Sequence, residues 1–80
     1  MKIKLLFFGI TTDLLKTSSL DFEVSNNSSV QNLKSDLLTK YPQLQNIDSY
    51  AIAVNESYAS DDLALQENDV VAIIPPVSGG

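Results

Sequence analysis

The chain opens on a segment whose apolar residues occupy both sides of a predicted strand. In KIKLLFFG, residues Ile3, Leu5 and Phe7 fall on one side, and Leu6 and Phe8 fall on the other. Apolar side chains on both faces are typical of a central strand in a sheet. We therefore expect this strand to lie near the middle of its sheet and to be buried on both faces.

A short helix and a second strand follow. Thr11 or Thr12 can cap a brief turn of helix around Leu15, since threonine side chains accept hydrogen bonds from first-turn amides. The segment LDFEV, residues 20–24, alternates strictly between apolar and acidic positions. This alternation predicts a half-buried strand.

One long amphipathic helix is predicted in the middle of the chain, because apolar residues recur there every three or four positions. The stripe consists of Val30, Leu33, Leu37, Leu38 and Tyr41.

Both ends of this helix carry recognisable signals. Ser28 or Ser29 can act as the N-cap, and Gln31 stands three residues after Ser28, as a capping box requires. Pro42 disfavours helical geometry at the preceding residue and predicts the helix end.

The C-terminal half predicts three further strands: YAIAV at 50–54, YAS at 58–60 and VVAII at 70–74. The last run is so rich in β-branched residues that we expect it to be buried on both faces and to lie beside the first strand.

The connections between these strands are short. NES is predicted to be a turn, and Asn68 is predicted to take left-handed geometry in a second turn. Residues 61–65 are expected to form a single turn of helix or 3₁₀ helix, with Leu63 and Leu65 covering the end of the core.

The element order is strand, strand, helix, strand, short strand, strand, which predicts an α+β domain. The economical packing is a mixed sheet of about five strands with the one main helix across one face. This is the ubiquitin-like β-grasp arrangement. We expect a β-grasp domain over residues 1–76 and a flexible C-terminal tail over residues 77–80.

Composition then excludes several classes of function. With no cysteine and no histidine, the chain has no disulfide, no thiolate or imidazole zinc site, and no Ser-His or Cys-His nucleophile. Ten acidic residues against five lysines give a net charge of −5, which disfavours binding to nucleic acid. No apolar run approaches the ~20 residues of a membrane span. We expect no nucleic acid or membrane partner and a cytoplasmic location.

The carboxylates give little indication of a site. Asp61 and Asp62 are adjacent, so their side chains diverge, and no calcium-loop spacing surrounds them. Glu67 and Asp69 fall in a predicted turn, where solvation leaves carboxylates ordinary. We expect no metal site and no bound cofactor.

The last residues carry the most distinctive pattern. Pro75 and Pro76 lack amide donors and fix the backbone, so the chain is expected to leave the sheet stiffly at this point. The four residues 77–80 span at most ~14 Å when extended. Gly79 and Gly80 lack a Cβ, so a narrow channel can close around them. A terminal carboxylate delivered in this way suits a carrier whose chemistry another enzyme performs.

These features resemble the small, sulfur-carrying subunits of molybdopterin synthase. The resemblance covers essentially the whole chain, and it includes the opening KIKLLFFG, the AVN turn at 53–55 and the close NDVVAIIPPVSGG at 68–80. Members often have a glycine where this chain has Asn68, and an Arg-Glu pair where residues 11–15 read TTDLL.

The resemblance implies a specific chemistry. An activating enzyme of the ubiquitin-activating type would use ATP to adenylate Gly80, and the product would become a thiocarboxylate. The tail would then enter the large subunit of a heterotetramer, where the sulfur is transferred to a cyclic pyranopterin to build the dithiolene that holds molybdenum. The residues implied in the tail channel are Pro76, Val77, Ser78 and Gly79, and those implied at the partner interface are Phe7, Ile74 and Pro75.

Three alternatives stay open at this point. A sulfur carrier of thiamine synthesis shares the fold and the Gly-Gly end, although the Pro-Pro-Val approach favours the molybdopterin type. A ubiquitin-like modifier would attach Gly80 to lysines on target proteins. The third alternative is a binding module whose C-terminal end is inert.

Overall fold

The computed structural model describes residues 1–46 and 50–75. Within these ranges the chain forms five strands, two α-helices and a 3₁₀ helix. In chain order they are β1 (Lys2–Phe7), α1 (Ile10–Leu15), β2 (Ser19–Glu23), α2 (Val30–Lys40), the 3₁₀ helix (Pro42–Asn46), β3 (Ala51–Val54), β4 (Ser57–Tyr58) and β5 (Val70–Ile74).

The strands form one mixed sheet in the order β2-β1-β5-β3-β4. β1 and β5 run parallel to each other, and the other neighbouring pairs are antiparallel. The prediction that the first and last strands lie side by side is therefore confirmed, and β5 is the central strand of the sheet. The β-grasp architecture predicted from the element order is also confirmed.

The core lies between one face of the sheet and α2. Because side chains alternate along a strand, every second residue of β1 and β5 points toward the helix. The fully buried side chains that meet there are Ile3, Leu5, Val30, Leu33, Leu37, Leu44, Val71 and Ile73.

The expectation that β1 and β5 are buried on both faces is wrong. Val70 at the start of β5 is 36% exposed, and Phe8, just past the end of β1, is 47% exposed. The main helix packs its buried residues on one face, and the other face carries exposed residues of β4 and β5, among them Tyr58 and Val70. The sheet consequently presents an apolar face to its surroundings.

The α1 cap and the capping-box pair of α2 differ from the sequence prediction, whereas Ser29, one of the two predicted N-caps of α2, is confirmed. The N-cap of α1 is Gly9 and not a threonine. Thr11 lies inside the helix, and its hydroxyl oxygen accepts a hydrogen bond from the amide of Phe8. The N-cap of α2 is Ser29, whose hydroxyl accepts from the amide of Asn32, while the Asn32 side chain accepts from the amide of Ser29. A capping box is thus present one residue later than expected, with asparagine in place of glutamine. The helix end before Pro42 is confirmed.

The segment after β4 forms turns and an isolated bridge, and the helical turn predicted over residues 61–65 is absent. Its carbonyl groups instead accept hydrogen bonds from the α2 amino terminus: Val30 N donates to Leu63 O at 2.9 Å, and Gln31 N donates to Asp61 O at 3.1 Å. This use of the backbone leaves Leu63 41% exposed, whereas Leu65 is buried as predicted. The left-handed geometry predicted at Asn68 is confirmed by its φ of 69°.

Leu38 does not widen the buried stripe of α2, since it is 38% exposed. The stripe needs only Val30, Leu33 and Leu37 to cover the sheet. Among the described residues, no helix has the length and apolar character required to cross a membrane.

Candidate functional site

The uncovered side of the sheet carries a continuous apolar surface, which we call the open face. A shallow depression of about 300 Å³ lies on it, bordered also by Glu56. The apolar residues of the open face are Leu6, Phe8, Ala53, Tyr58, Val70, Ala72 and Ile74.

The depression follows from the strand register. Leu6 lies opposite Ala72, Ala72 lies opposite Ala53, and Ala53 lies opposite Tyr58, so one row of side chains crosses four strands. The two alanines in the middle of that row are small, and the residues at both ends are large. The Tyr58 side chain is 77% exposed. Large exposed apolar side chains around a hollow are a typical protein-docking surface.

Charged residues border the apolar part on the β1 and β2 side. Lys4 lies opposite Asp21, and Lys2 lies opposite Glu23, as cross-strand neighbours. These four side chains occupy the same face of the sheet as Leu6, because they lie at alternate positions from it or directly opposite such positions. The open face therefore has an apolar centre and a polar rim, as protein interfaces commonly do.

The strand β5 ends at Ile74 at one end of the open face, and Pro75 follows it next to Gly9. A Cβ added to Gly9, which has a φ of 56°, would come within 3.0 Å of the Pro75 ring carbon Cγ. Nearby, the Thr11 hydroxyl accepts from the amide of Phe8 at 3.0 Å, and the Thr12 hydroxyl donates to the carbonyl of Phe7 at 3.1 Å. These contacts hold the corner where β1 ends against Pro75.

The structure brings together two of the three residues implied at the partner interface. Ile74 lies on the open face, and Pro75 is half-buried at its end. The third, Phe7, is not on the open face: it is 2% exposed because its side chain points into the core with Ile3 and Leu5. Five residues implied in the tail chemistry lie outside the described residues: the channel residues Pro76, Val77, Ser78 and Gly79, and the sulfur-bearing Gly80.

Phe8 is an exposed residue of the open face that the sequence-based set of interface residues did not include. The alternation along KIKLLFFG already assigns Phe8 to the side opposite Ile3 and Leu5. What the alternation does not reveal is which side the helix covers. The same uncertainty concealed Tyr58 on the short strand β4.

The carboxylates considered for acid/base chemistry accept hydrogen bonds at and beside a turn. Glu67 accepts from the amide of Lys2 at 2.7 Å. Asp69 accepts from the side-chain amide of Asn55 at 3.0 Å and from the backbone amide of Gln66 at 2.8 Å. Within the described part of the chain, no group of three or more acidic residues is arranged to hold a metal ion.

A β-grasp sheet with one helix-covered face, one open apolar face and a C-terminal strand that leads off that face defines the ubiquitin-like class of small domains. Within this class, the chain matches the model of the ThiS family over residues 5–80. The chain belongs to the ThiS family.

Individual relatives are consistent with this membership. The chain is 35% identical to a molybdopterin synthase sulfur carrier subunit of Arabidopsis thaliana, over 100% of this chain and 84% of that protein. It resembles the structure of a proposed molybdopterin converting factor subunit 1 of Pyrococcus furiosus, with 26% identity, a TM-score of 0.88, and coverage of 96% and 99% of the two chains.

A further solved structure shares the fold. It is a complex of subunits 1 and 2 of the molybdopterin-converting factor of Helicobacter pylori, matched at 24% identity and a TM-score of 0.70 over the full length of both chains.

Proposed function

We propose that this chain is the sulfur carrier subunit of a molybdopterin synthase. The observation that carries the proposal is the position of Pro75: the strand that leads to the Gly-Gly sequence leaves the sheet at the end of an exposed apolar face. A partner that covers this face would also receive the residues after Pro75. The relative from Arabidopsis thaliana, which matches along the whole of this chain, supplies the chemistry.

The proposal assigns the reacting group to the carboxylate of Gly80. An activating enzyme of the ubiquitin-activating type transfers AMP from ATP to this carboxylate and releases pyrophosphate. Sulfur from a donor then attacks the acyl carbon and displaces AMP, which leaves a thiocarboxylate. ATP is a substrate of the activating enzyme and not a cofactor of this chain, and its use fits the cytoplasmic location expected from the sequence.

The thiocarboxylate then donates its sulfur to a cyclic pyranopterin in the large subunit. The chain has neither histidine nor cysteine, and we assign the acid, base and binding groups for that step to the partner. We assign Gly79, Ser78, Val77 and Pro76 to the channel through which Gly80 reaches the partner's pocket. In this role the domain is a carrier, and the complex is the catalyst.

The open face is the proposed contact with the large subunit. Phe8 and Tyr58 supply large exposed rings, Ile74 and Pro75 extend the apolar area to the start of the tail, and the alanines between them leave room for a partner side chain. The complex of subunits 1 and 2 from Helicobacter pylori supports this pairing, and a heterotetramer with two copies of each subunit is the assembly we propose.

The proposal is tested by intact-mass measurement. Incubation with the activating enzyme, ATP and a sulfur donor should increase the mass by the exchange of one oxygen for one sulfur. The chain lacking Gly80 is the control; it should stay folded and show no exchange, because the buried residues of the described core all lie between Ile3 and Ile73 and remain in place.

Two outcomes would contradict the proposal. An unchanged mass under conditions where the activating enzyme consumes ATP would argue against a sulfur carrier. Attachment of Gly80 to lysines of other proteins, without sulfur exchange, would establish the modifier function instead.

A further inference from the structure

The outer edge of β2, at the polar rim of the open face, carries a second docking site next to the apolar centre. We propose that the backbone of Asp21 and Glu23 binds an extended, basic segment of a partner protein by strand addition. The proposal does not depend on the chemistry at Gly80.

Hydrogen bonds at the two ends of the β1–β2 ladder show which backbone groups are free. Val24 N donates to Met1 O at 2.9 Å and the Met1 amine donates to Val24 O at 2.7 Å, while Phe7 N donates to Ser18 O at 2.9 Å. In an antiparallel pair, hydrogen-bonded and non-hydrogen-bonded residues alternate. Phe22 therefore bonds to β1, and the amide and carbonyl groups of Asp21 and Glu23 point outward, with no partner among the described residues.

The free part of the edge is short and well defined. Ser19 also points outward, but its carbonyl accepts from the Thr17 hydroxyl at 2.8 Å, and its amide donates to the same hydroxyl at 3.4 Å. At the other end, the Ser25 carbonyl accepts from the amide of Ser28 at 3.2 Å. Two donors and two acceptors remain between these blocked ends, which suits a peptide of a few residues rather than a long strand.

A groove of about 500 Å³ runs between this edge and α2. Across it, the Lys40 amine lies 5.6 Å from the centre of the Phe22 ring. A peptide paired with the edge would place alternate side chains against this ring and the other side chains beside the carboxylates. The lining residues are Asp21, Phe22, Glu23, Asp36, Thr39 and Lys40.

The charges select the occupant. A side chain of an added strand lies about 5 Å from its direct cross-strand neighbour, and opposite charges at such positions are favourable. The direct neighbours here are Asp21 and Glu23. Lys4 and Lys2 lie opposite them but one strand farther away, roughly a further 5 Å, where salt screens their effect more strongly. Lysine or arginine at alternate positions of the incoming segment therefore fits the edge.

The same charges disfavour a second copy of this chain. Two β2 edges paired antiparallel around Phe22 would place Asp21 of one copy opposite Glu23 of the other, twice. Like charges directly opposite each other in a sheet are destabilising. The occupant is therefore a different, basic chain.

Occupation of this edge would cover part of the polar rim and leave the apolar centre of the open face near Pro75 accessible. The register places Glu23 opposite Lys2, whereas β5 ends before Pro75 near Phe8, at the other end of β1. Six residues of strand separate these ends, roughly 20 Å at ~3.3 Å per residue.

Residue-resolved amide exchange by NMR tests the proposal on the full chain. In the free protein, the amides of Asp21 and Glu23 should exchange quickly, and that of Phe22 should be protected. The probe is the acetylated and amidated peptide Lys-Val-Lys-Val-Lys. Its addition should slow exchange at Asp21 and Glu23 and leave the amide shifts of Ala72 and Ile74 on the open face unchanged.

Charge-matched variants provide the control. The double variant Asp21→Asn with Glu23→Gln should weaken peptide binding at least about fivefold, because two favourable cross-strand pairs with the peptide are lost. The variant Asp13→Asn with Asp62→Asn changes the net charge equally at exposed sites away from this edge and should bind as the wild type does.

Three results would overturn the proposal: unchanged exchange at Asp21 and Glu23 with saturating peptide, equal binding of the matching Glu-Val-Glu-Val-Glu peptide, or equal weakening by both double variants. A failure of sulfur exchange at Gly80 would leave this result unaffected, so the two proposals are separable.

Discussion

Truncation of Phe8 gives the sharpest test of the open face. The ring is 47% exposed in the free domain, and a phenylalanine side chain offers roughly 200 Å² of surface, so docking can bury about 90 Å² more of it. At about 25 cal/mol per Å², the Phe8→Ala variant loses about 2 kcal/mol of binding free energy, or roughly a 30-fold increase in Kd for the large subunit. The core is unaffected, because Phe8 lies on the side of the sheet away from α2.

Isothermal titration with the large subunit measures this change. Leu38→Ala is the matched control, since Leu38 is also a partly exposed apolar residue, at 38%, but lies on α2. We expect the control to bind within about twofold of the wild type, as surface changes away from an interface do within ±0.5 kcal/mol. Thermal unfolding should show both variants folded. Equal affinities for the Phe8 and Leu38 variants would refute the assignment of the open face as the docking surface.

Three further predictions concern the domain itself. Asn55→Ala should destabilise the fold by about 1–3 kcal/mol in urea unfolding, because it removes hydrogen bonds to Asp69 and to the amide of Val70 at a residue with a φ of 50°. A loss below about 0.5 kcal/mol would show that the turn does not need these hydrogen bonds. Ser29→Ala should cost about 1 kcal/mol through the lost α2 cap, and an unchanged unfolding midpoint would contradict the observed capping box. Burial raises the pKa of Tyr50 above its ordinary value of 10.0, so the folded state holds the phenol proton more tightly than the unfolded state. The free energy of unfolding should therefore fall as the pH rises from 10.0 through the raised pKa. Tyr50→Phe should remove this part of the alkaline loss of stability, and identical pH profiles for the two proteins would exclude a contribution from Tyr50.

The two neighbouring phenylalanines illustrate what the sequence leaves undecided about the exposed surface. Phe7 and Phe8 are the same type of residue and adjacent in sequence, yet Phe7 is 2% exposed and Phe8 is 47% exposed. Period-two alternation separates them onto opposite faces with certainty. It carries no information about which face the helix covers, and the resemblance-based assignment of the contact therefore named Phe7, the buried member of the pair.

Local signals in the sequence determined most of the elements. The spacing of Val30, Leu33 and Leu37 predicts α2, Pro42 ends it, and the alternation in LDFEV and the β-branched run VVAII predict β2 and β5. These features depend on side chains within a few residues of each other, so the sequence alone contains them. Together with the Pro-Pro-Val-Ser-Gly-Gly close, they were sufficient for the β-grasp class and for the carrier hypothesis.

Only the tertiary structure decided which surfaces are free. The register that aligns Leu6, Ala72, Ala53 and Tyr58 across four strands creates the depression of the open face from residues far apart in the chain. The free edge at Asp21 depends on the phase of the ladder with β1, which no local pattern specifies. Burial and pairing are properties of neighbours brought together by folding, and a single helix that covers one face of a sheet necessarily leaves the other face and the outer edges available for partners.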